Sequence, residues 1–583
     1  MNRFFTTLFA ICLAVGSLHA QPNPVKNSAK STFKLIAYDA LGNVISSTYG
    51  VYTSVDGEAI GSWSALAEAS RAEVVDFNGK HFNVKSIIGA NELYDVCRFK
   101  VDVSKTTAAQ LAKQTTAAGS KVWLVGNEER KPVASEYTVE REEGFMDKYA
   151  YYIFAYNDKT GIPGAPFVNS NGEVVGLLQQ SETSLDTHAV DARFATTLTA
   201  DAFALASPQY SKTGIRLQMP SDQKQAQLMM MFAGEQNDSA KYADYIADYI
   251  QLFPNEVDGY STSAMRRVNS GDYSGADADM QTALKKSTDK AAAHYEYARV
   301  MYHKLMYSVD STFTEWTLDK ALAELEKATR LDSQPAYKHL TAQLLYSKRD
   351  FARALDIFTT LAKGEMVNSE VFYEAAQCKT QLGAKKEEIV ELLDSAVSHC
   401  PKPYTTMSAP YILTRGQLYD EMKDYRRALA DYNTYDTIMV GRASADFYYT
   451  RYKCEMELRQ YQLALNDIAH AAYVAPDADR LGYIAELASL QLRVGKYEDA
   501  IRTSDLCLEV DADATDLLII KGIALANINK KQDGMKCLER AKELGDTRAE
   551  DYIKKYKLGL YFDLLVNDKL NEYLHNIDTT VME

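Results

Sequence analysis

Two serines, Ser62 and Ser64, flank Trp63, and Asp95 opens an apolar run further along the chain. A serine hydroxyl becomes a nucleophile only when a neighbouring base takes its proton, and the usual base is an imidazole. His81 and His188, the histidines of this stretch, read as surface or hydrogen-bonded core residues rather than bases. Pro163, in the loop Gly161-Ile162-Pro163-Gly164, has neither a hydroxyl nor an N–H to offer a developing oxyanion. The cysteines give no alternative chemistry. Cys97, Cys378, Cys400, Cys454, Cys507 and Cys537 are scattered with no C-x-x-C, so neither a zinc site nor a disulfide framework is indicated. Buried free thiols are expected, with no metal and no cofactor.

The elements that must position these residues are short strands. Alternating or apolar runs at Phe33 to Tyr38, Tyr49 to Val55 and Glu73 to Phe77 end at Leu41-Gly42-Asn43, Asp56-Gly57 and Asn78-Gly79. Such glycine pairs between β-rich runs are strong hairpin signals. Further strands are expected at Val96 to Val103, Lys121 to Val125, Tyr149 to Tyr156 and Glu173 to Leu178. Many short strands with little helix imply a barrel or sandwich over residues 31–207.

The order of motifs here resembles the trypsin-like serine proteases, specifically the HtrA-type branch. The segment Asp56-Gly57-Glu58-Ala59-Ile60-Gly61-Ser62-Trp63-Ser64-Ala65 is similar to that branch's histidine motif, with Ser64 at the histidine position. Asp95-Val96-Cys97-Arg98-Phe99-Lys100-Val101 is similar to its aspartate motif, which keeps Asp95. Gly161 to Pro166 followed by Val168 to Gly176 is similar to its nucleophile motif, with Pro163 at the serine position. The resemblance implies a double β-barrel. With Ser64, Asp95 and Pro163 as a degenerate triad, it also implies a pseudoprotease that catalyses nothing. The rival reading is an active serine-type protease whose nucleophile or base comes from unaligned residues.

From Gln223 the strand signals give way to helical periodicity. One block recurs, an aromatic followed by a small residue, a bulky one and a second small one, clearest as Tyr461, Ala464, Ile468 and Ala471. Copies begin at Tyr273, Leu318, Phe351, Tyr425 and Tyr497, with weaker ones around Ile389 and Gly534. The spacing clusters near about 34 residues and resembles the tetratricopeptide repeat, which implies a solenoid of helix pairs over 223–560. A polar insertion is expected around Met306 to Thr314, a linker at 208–222 and a capping helix at 561–583. In that family the partner-binding surface lies on the first helix of each pair. Counting from the small residues places His339, Gln343, Tyr346, Gln417, Asp420, Tyr449 and Lys453 there. The Lys–Asn clamp of chaperone-docking members is absent, since those slots hold His339 and Gln343, Leu413 and Gln417, and Tyr449 and Lys453.

Sixty-four basic against 79 acidic residues give a net charge of −15, which disfavours nucleic acid and anionic lipid as partners. Residues 1–20, with Arg3, an apolar run from Leu8 to Leu18 and Ala20, read as a secretory signal peptide, followed by a leader at 21–30. No later segment is long and apolar enough to span a bilayer. A glycan-binding role would want exposed tryptophan platforms, and the chain has only Trp63, Trp123 and Trp316. The sequence therefore leads to an exported, non-enzymatic scaffold or adaptor. It would bind a protein or peptide partner, in the periplasm or within a cell-envelope complex.

Overall fold

The computed structural model describes residues 22–557 except 129, 155–160, 180–185, 237, 309 and 311. The expected signal peptide and capping helix lie outside the described residues. The chain divides into two compact units, Met1–Val300 and Met301–Glu583.

In the first unit a short helix, α1 (Asn23–Ser28), precedes six strands. They are β1 (Thr32–Tyr38), β2 (Val44–Tyr52), β3 (Glu58–Gly61), β4 (Arg71–Val75), β5 (His81–Asn91) and β6 (Val96–Val101). They close into a barrel in the order β1-β2-β3-β6-β5-β4. β1 shows why: Phe33, Leu35 and Ala37 point inward and are fully buried while Lys34 faces solvent, the period of two that a half-buried strand requires. The β4–β5 hairpin turns where Gly79 takes a φ of 78°. There the Asp76 carboxylate accepts the Asn78 and Lys80 amides, each at 2.8 Å.

Seven more strands follow: β7 (Lys121–Glu128), β8 (Lys131–Thr138), β9 (Arg141–Phe145), β10 (Tyr149–Phe154), β11 (Pro166–Val168), β12 (Val174–Gln179) and β13 (Thr187–Asp191). They form one sheet in the order β8-β7-β11-β12-β13-β10-β9. One core of this sheet centres on Phe154 stacked against Phe167, with ring centroids 4.4 Å apart. A second core joins it to the barrel, where Val51, Ile60 and Val96 meet Trp123, Val168 and Val190. A short helix, α2 (Ala192–Ala195), ends the sheet.

Residues 213–219, within the segment read as linker, run along β5. Ile87 donates to Arg216 O at 2.9 Å and accepts from the Gln218 amide at 2.7 Å. Ile215, Leu217 and Met219 are buried in the barrel core, which continues into α3 (Gln223–Glu235) and α4 (Ser239–Leu252) through Met229, Tyr245 and Tyr249. The pair α5 (Val257–Asn269) and α6 (Tyr273–Lys286) follows, and then α7 (Lys290–Tyr307).

The second unit is all helical and consistent with a tetratricopeptide-like solenoid. After α8 (Leu318–Leu331), α9 (Pro335–Ser347) pairs with α10 (Phe351–Thr360), and α11 (Ser369–Gln381) with α12 (Lys386–Ser398). Next, α13 (Ala409–Glu421) pairs with α14 (Tyr425–Met439), and α15 (Ala445–Glu457) with α16 (Tyr461–Val474). Last come α17 (Asp477–Arg493) with α18 (Tyr497–Leu508), α19 (Thr515–Asn527) with α20 (Lys531–Glu543), and α21 (Arg548–Lys557). The recurring block is the second helix of each pair. Its small residue is the fourth of that helix, and Ala321, Ala354, Ala428, Ala464 and Ala500 have no exposed surface. A methyl there lets two helices approach closely, where a larger side chain would force them apart. The aromatic that opens the block is less uniform, and Tyr461 is 41% exposed.

Buried ion pairs tie first helix to second. Arg415 on α13 donates Nε and Nη2 to the two oxygens of Asp431 on α14, at 2.8 and 2.7 Å. One repeat later Arg451 on α15 does the same to Asp467 on α16, at 2.6 and 2.8 Å. Glu455, one turn beyond Arg451, is 3% exposed, and its Oε2 has no hydrogen-bond partner. Burial, and next the Asp467 charge, push its pKa up to about 8 against the pull of Arg451. A carboxyl neutral in the fold but ionised in the unfolded chain favours folding at low pH. That stability is complete below the ordinary glutamate range and is lost as pH rises through about 8. Glu455→Gln removes the dependence, so the variant's melting temperature, followed by circular dichroism, is expected to gain on the wild type's as pH is raised through this window.

Candidate functional site

Antiparallel pairing of β3 with β6 sets Gly61 opposite Cys97, so the residues that leave β3 meet those that enter β6. Asp95 lies there with a φ of 44°, a left-handed conformation unusual for a residue with a Cβ. Its carboxylate gathers three donors. Oδ2 accepts from Ser62 Oγ at 2.6 Å and from Ser64 Oγ at 3.2 Å, and Oδ1 accepts from the Ser64 amide at 2.6 Å. The two hydroxyls are 2.9 Å apart. Ser62 is buried and Ser64 is exposed, so Ser64 is the hydroxyl that a bound chain can reach. Cys97, directly below, is buried against the Gly61 and Ser62 carbonyls, and burial raises its thiol pKa well above the ordinary value. It is not a nucleophile.

The Pro163 loop reaches the same place from the second sheet. Pro163 O accepts the Tyr49 amide at 2.8 Å. Gly164 adopts a φ of 78°, and a Cβ there would stand 2.2 Å from Tyr49 O and 3.4 Å from the Ser62 nitrogen, so only glycine fits. The Pro163 loop thus lies against Tyr49 and, through Gly164, against Ser62. The Gly164 amide is spent on Leu178 O at 2.8 Å, so it is not presented to a substrate oxygen. His81 pairs with Glu73 on β4, and His188 lies on β13 beside Tyr151, with ring centroids 5.6 Å apart. Both belong to other parts of the fold. Trp63, Trp123 and Trp316 are buried, so none forms an exposed platform.

On the helices, His339, Gln343 and Tyr346 lie on α9, Gln417 and Asp420 on α13, and Tyr449 and Lys453 on α15, each the first helix of its pair. The structure brings His339 and Gln343 together on one carboxylate, Glu374 of α11. His339 Nε2 is 2.5 Å from Oε2, and Gln343 Nε2 donates to Oε1 at 2.7 Å. Burial lowers the imidazole pKa, but the Glu374 hydrogen bond and the Glu374 and Glu370 charges outweigh it and leave a net rise. Tyr346 packs edge-on to Phe351, and Gln417 is exposed. Burial raises the pKa of Asp420, which accepts from the Tyr432 hydroxyl at 3.3 Å. Tyr449 is 8% exposed, stacked on Tyr452 and edge-on to Tyr483, so it offers a partner little surface. Lys453 is exposed, with Nζ 4.7 Å from the centre of the Tyr449 ring. Glu370 and Glu374 escaped the sequence reading, because the repeat copy around Ile389 is weak and no slots were counted from it onto α11.

Residues 48–177 match the family model of the trypsin-like peptidase domain. A crystal structure of the Rv3671c protease in its inactive form is similar at 15% identity, over 31% of this chain and 94% of that one, with a TM-score of 0.26. No curated protein matches. The expectation of a non-enzymatic domain is corrected by the family match, which points to a protease. That expectation weighed Ser62, His81 and His188 and set them aside for want of a base beside a serine, whereas the fold gathers Ser62 and Ser64 onto the Asp95 carboxylate.

Three substitutions test this geometry. Asp95→Ala strands the buried Ser62 hydroxyl and is expected to lower unfolding free energy in urea by about 1–3 kcal/mol. Tyr449→Ala opens a cavity among three tyrosines and is expected to cost about 3–5 kcal/mol, whereas Lys453→Ala stays within about 0.5 kcal/mol.

Proposed function

We propose that this chain is an exported, envelope-associated protein whose helical array captures a protein or peptide partner and whose trypsin-like domain is a serine-type peptidase with a non-standard site. The Asp95 carboxylate carries the reading, because it gathers the buried Ser62 and the reachable Ser64 where the barrel meets the Pro163 loop. Ser64 is the nucleophile in this reading. Its proton passes to Asp95 directly or through Ser62 as the Ser64 oxygen attacks the scissile carbonyl; the tetrahedral adduct then breaks its C–N bond, the amine leaves with that proton, and water hydrolyses the Ser64 ester to release the acid and restore the hydroxyl. A carboxylate is a weak base towards a hydroxyl, and Pro163 contributes no oxyanion donor, so turnover is slow. A rate on the order of 10⁶ below that of a site with an oriented imidazole is expected.

Support for capture comes from the exposed Gln417 and Lys453 on first helices of the array. Support for export comes from the composition of residues 1–20. Among the described residues no helix is long and apolar enough to cross a membrane.

The test is capture from envelope extract on the immobilised full chain, with mass spectrometry to identify the partner and gels to follow its cleavage. Slow cleavage that disappears in Ser64→Ala and Asp95→Asn, with capture intact, is expected. Capture should weaken in Gln417→Ala with Lys453→Ala. Cleavage unchanged in Ser64→Ala would move the nucleophile elsewhere, and absence of cleavage under prolonged incubation would remove the peptidase half of the reading.

A further inference from the structure

The second unit holds a cluster that the peptidase reading does not use. His339 on α9 faces Glu370 and Glu374 on α11, and one ligand atom from each of the three lies within 4.8 Å of the others. Glu370 and Glu374 are four residues apart in one helix, which puts both carboxylates on the same face. His339 reaches them from the first helix of the preceding pair. We propose that these three side chains form a binding site for a divalent transition-metal ion such as zinc.

The donor set suits such an ion, since one imidazole nitrogen and two carboxylate oxygens are the ligand types zinc takes at about 2.0–2.2 Å. An ion held at those lengths needs its ligands roughly 3–4 Å apart. The closest pair, His339 Nε2 and Glu374 Oε2 at 2.5 Å, must open and the widest must close, which terminal rotations of the two glutamates provide. The surroundings already hold the ligands in place. Gln343 donates to the other oxygen of Glu374 at 2.7 Å, and Phe358 packs edge-on to the imidazole, with centroids 5.7 Å apart. Outer contacts of this kind orient a ligand before the ion arrives.

Charge argues the same way. Among the described residues neither glutamate has a lysine or arginine partner, although Glu374 is only 19% exposed, and His339 is its one possible counter-charge. A dication would supply the missing positive charge. Three protein ligands leave a fourth position open, so a bound ion could also accept a donor atom from outside the chain.

The test uses the full-length protein, reduced and stripped with chelator, titrated with zinc chloride by calorimetry and with cobalt(II) by absorbance. One equivalent is expected to bind and raise the melting temperature. The cobalt spectrum should lack the intense near-ultraviolet bands of thiolate ligation, which separates this site from the seven cysteines of the chain. Glu370→Gln, at an exposed position where the fold is not at risk, is expected to weaken zinc binding at least about tenfold, as is His339→Ala. Wild-type protein that takes up no zinc, or uptake unchanged in Glu370→Gln and His339→Ala, would overturn the site, as would a thiolate spectrum.

Discussion

One apolar core runs from the barrel into the first helical pair, and the order of the first unit follows from it. Phe33, Phe99 and Trp63 share that core with Met229, Tyr245 and Tyr249, and the chain between them is bonded along β5. The Tyr245 hydroxyl accepts the Leu217 amide at 2.9 Å, and Arg216 pairs with Asp248 of α4 at 2.5 Å. Filling the barrel end in this way fixes β5, and β5 fixes β6, whose register against β3 sets Ser62 and Ser64 opposite Asp95. The site is a consequence of strand register. A slip of one residue would turn every inward side chain outward and dissolve the cluster.

The helical array obeys a different constraint. Close approach at the alanines of second helices such as α14 and α16 leaves little room, so the polar groups nearby must be paired or expelled. Arg415 and Arg451 do this with bidentate bonds to Asp431 and Asp467, each reinforced by a second acid, Asp394 or Asp436. Because a bidentate pair tolerates little sliding, it fixes the register of the two helices as well as neutralising charge. Glu455 breaks the pattern as a buried carboxyl with an unpartnered oxygen, and it stays neutral instead.

Much of this order was legible in the residues. The alanine block marked the second helix of pair after pair, because a seam that cannot accept larger side chains leaves a strong periodic trace. The hairpins at Asn78-Gly79 and Leu41-Gly42-Asn43 were legible for a similar reason, since those turns demand particular residues. Strands β8 and β9 were not, because they sit at the two ends of the second sheet and their outward residues, such as Lys131, Glu136, Glu142 and Glu143, carry no apolar alternation. β5 was hidden by register shifts between Val84 and Ser86 and between Ile87 and Gly89, which break the period of two. At the candidate site the motif order named positions 64, 95 and 163. It could not show that Ser62 would share Asp95, which depends on a backbone turn at position 95 that no side-chain pattern announces.

That turn bears on how the site can work. A left-handed aspartate costs on the order of 1 kcal/mol, and such strain persists only where neighbours determine it from several sides. Here the Asp95 backbone donates to Glu92 O and accepts from the Trp63 amide while its carboxylate takes three further bonds. A carboxylate so thoroughly engaged is held in one orientation, with both oxygens committed to donors. Those contacts make Asp95 a positioning group as well as the proton acceptor of the proposed reaction. In the proposed reaction the rate must come from prolonged residence of the substrate near Ser64, since a reactant held in place gains effective concentration that a weak base cannot provide.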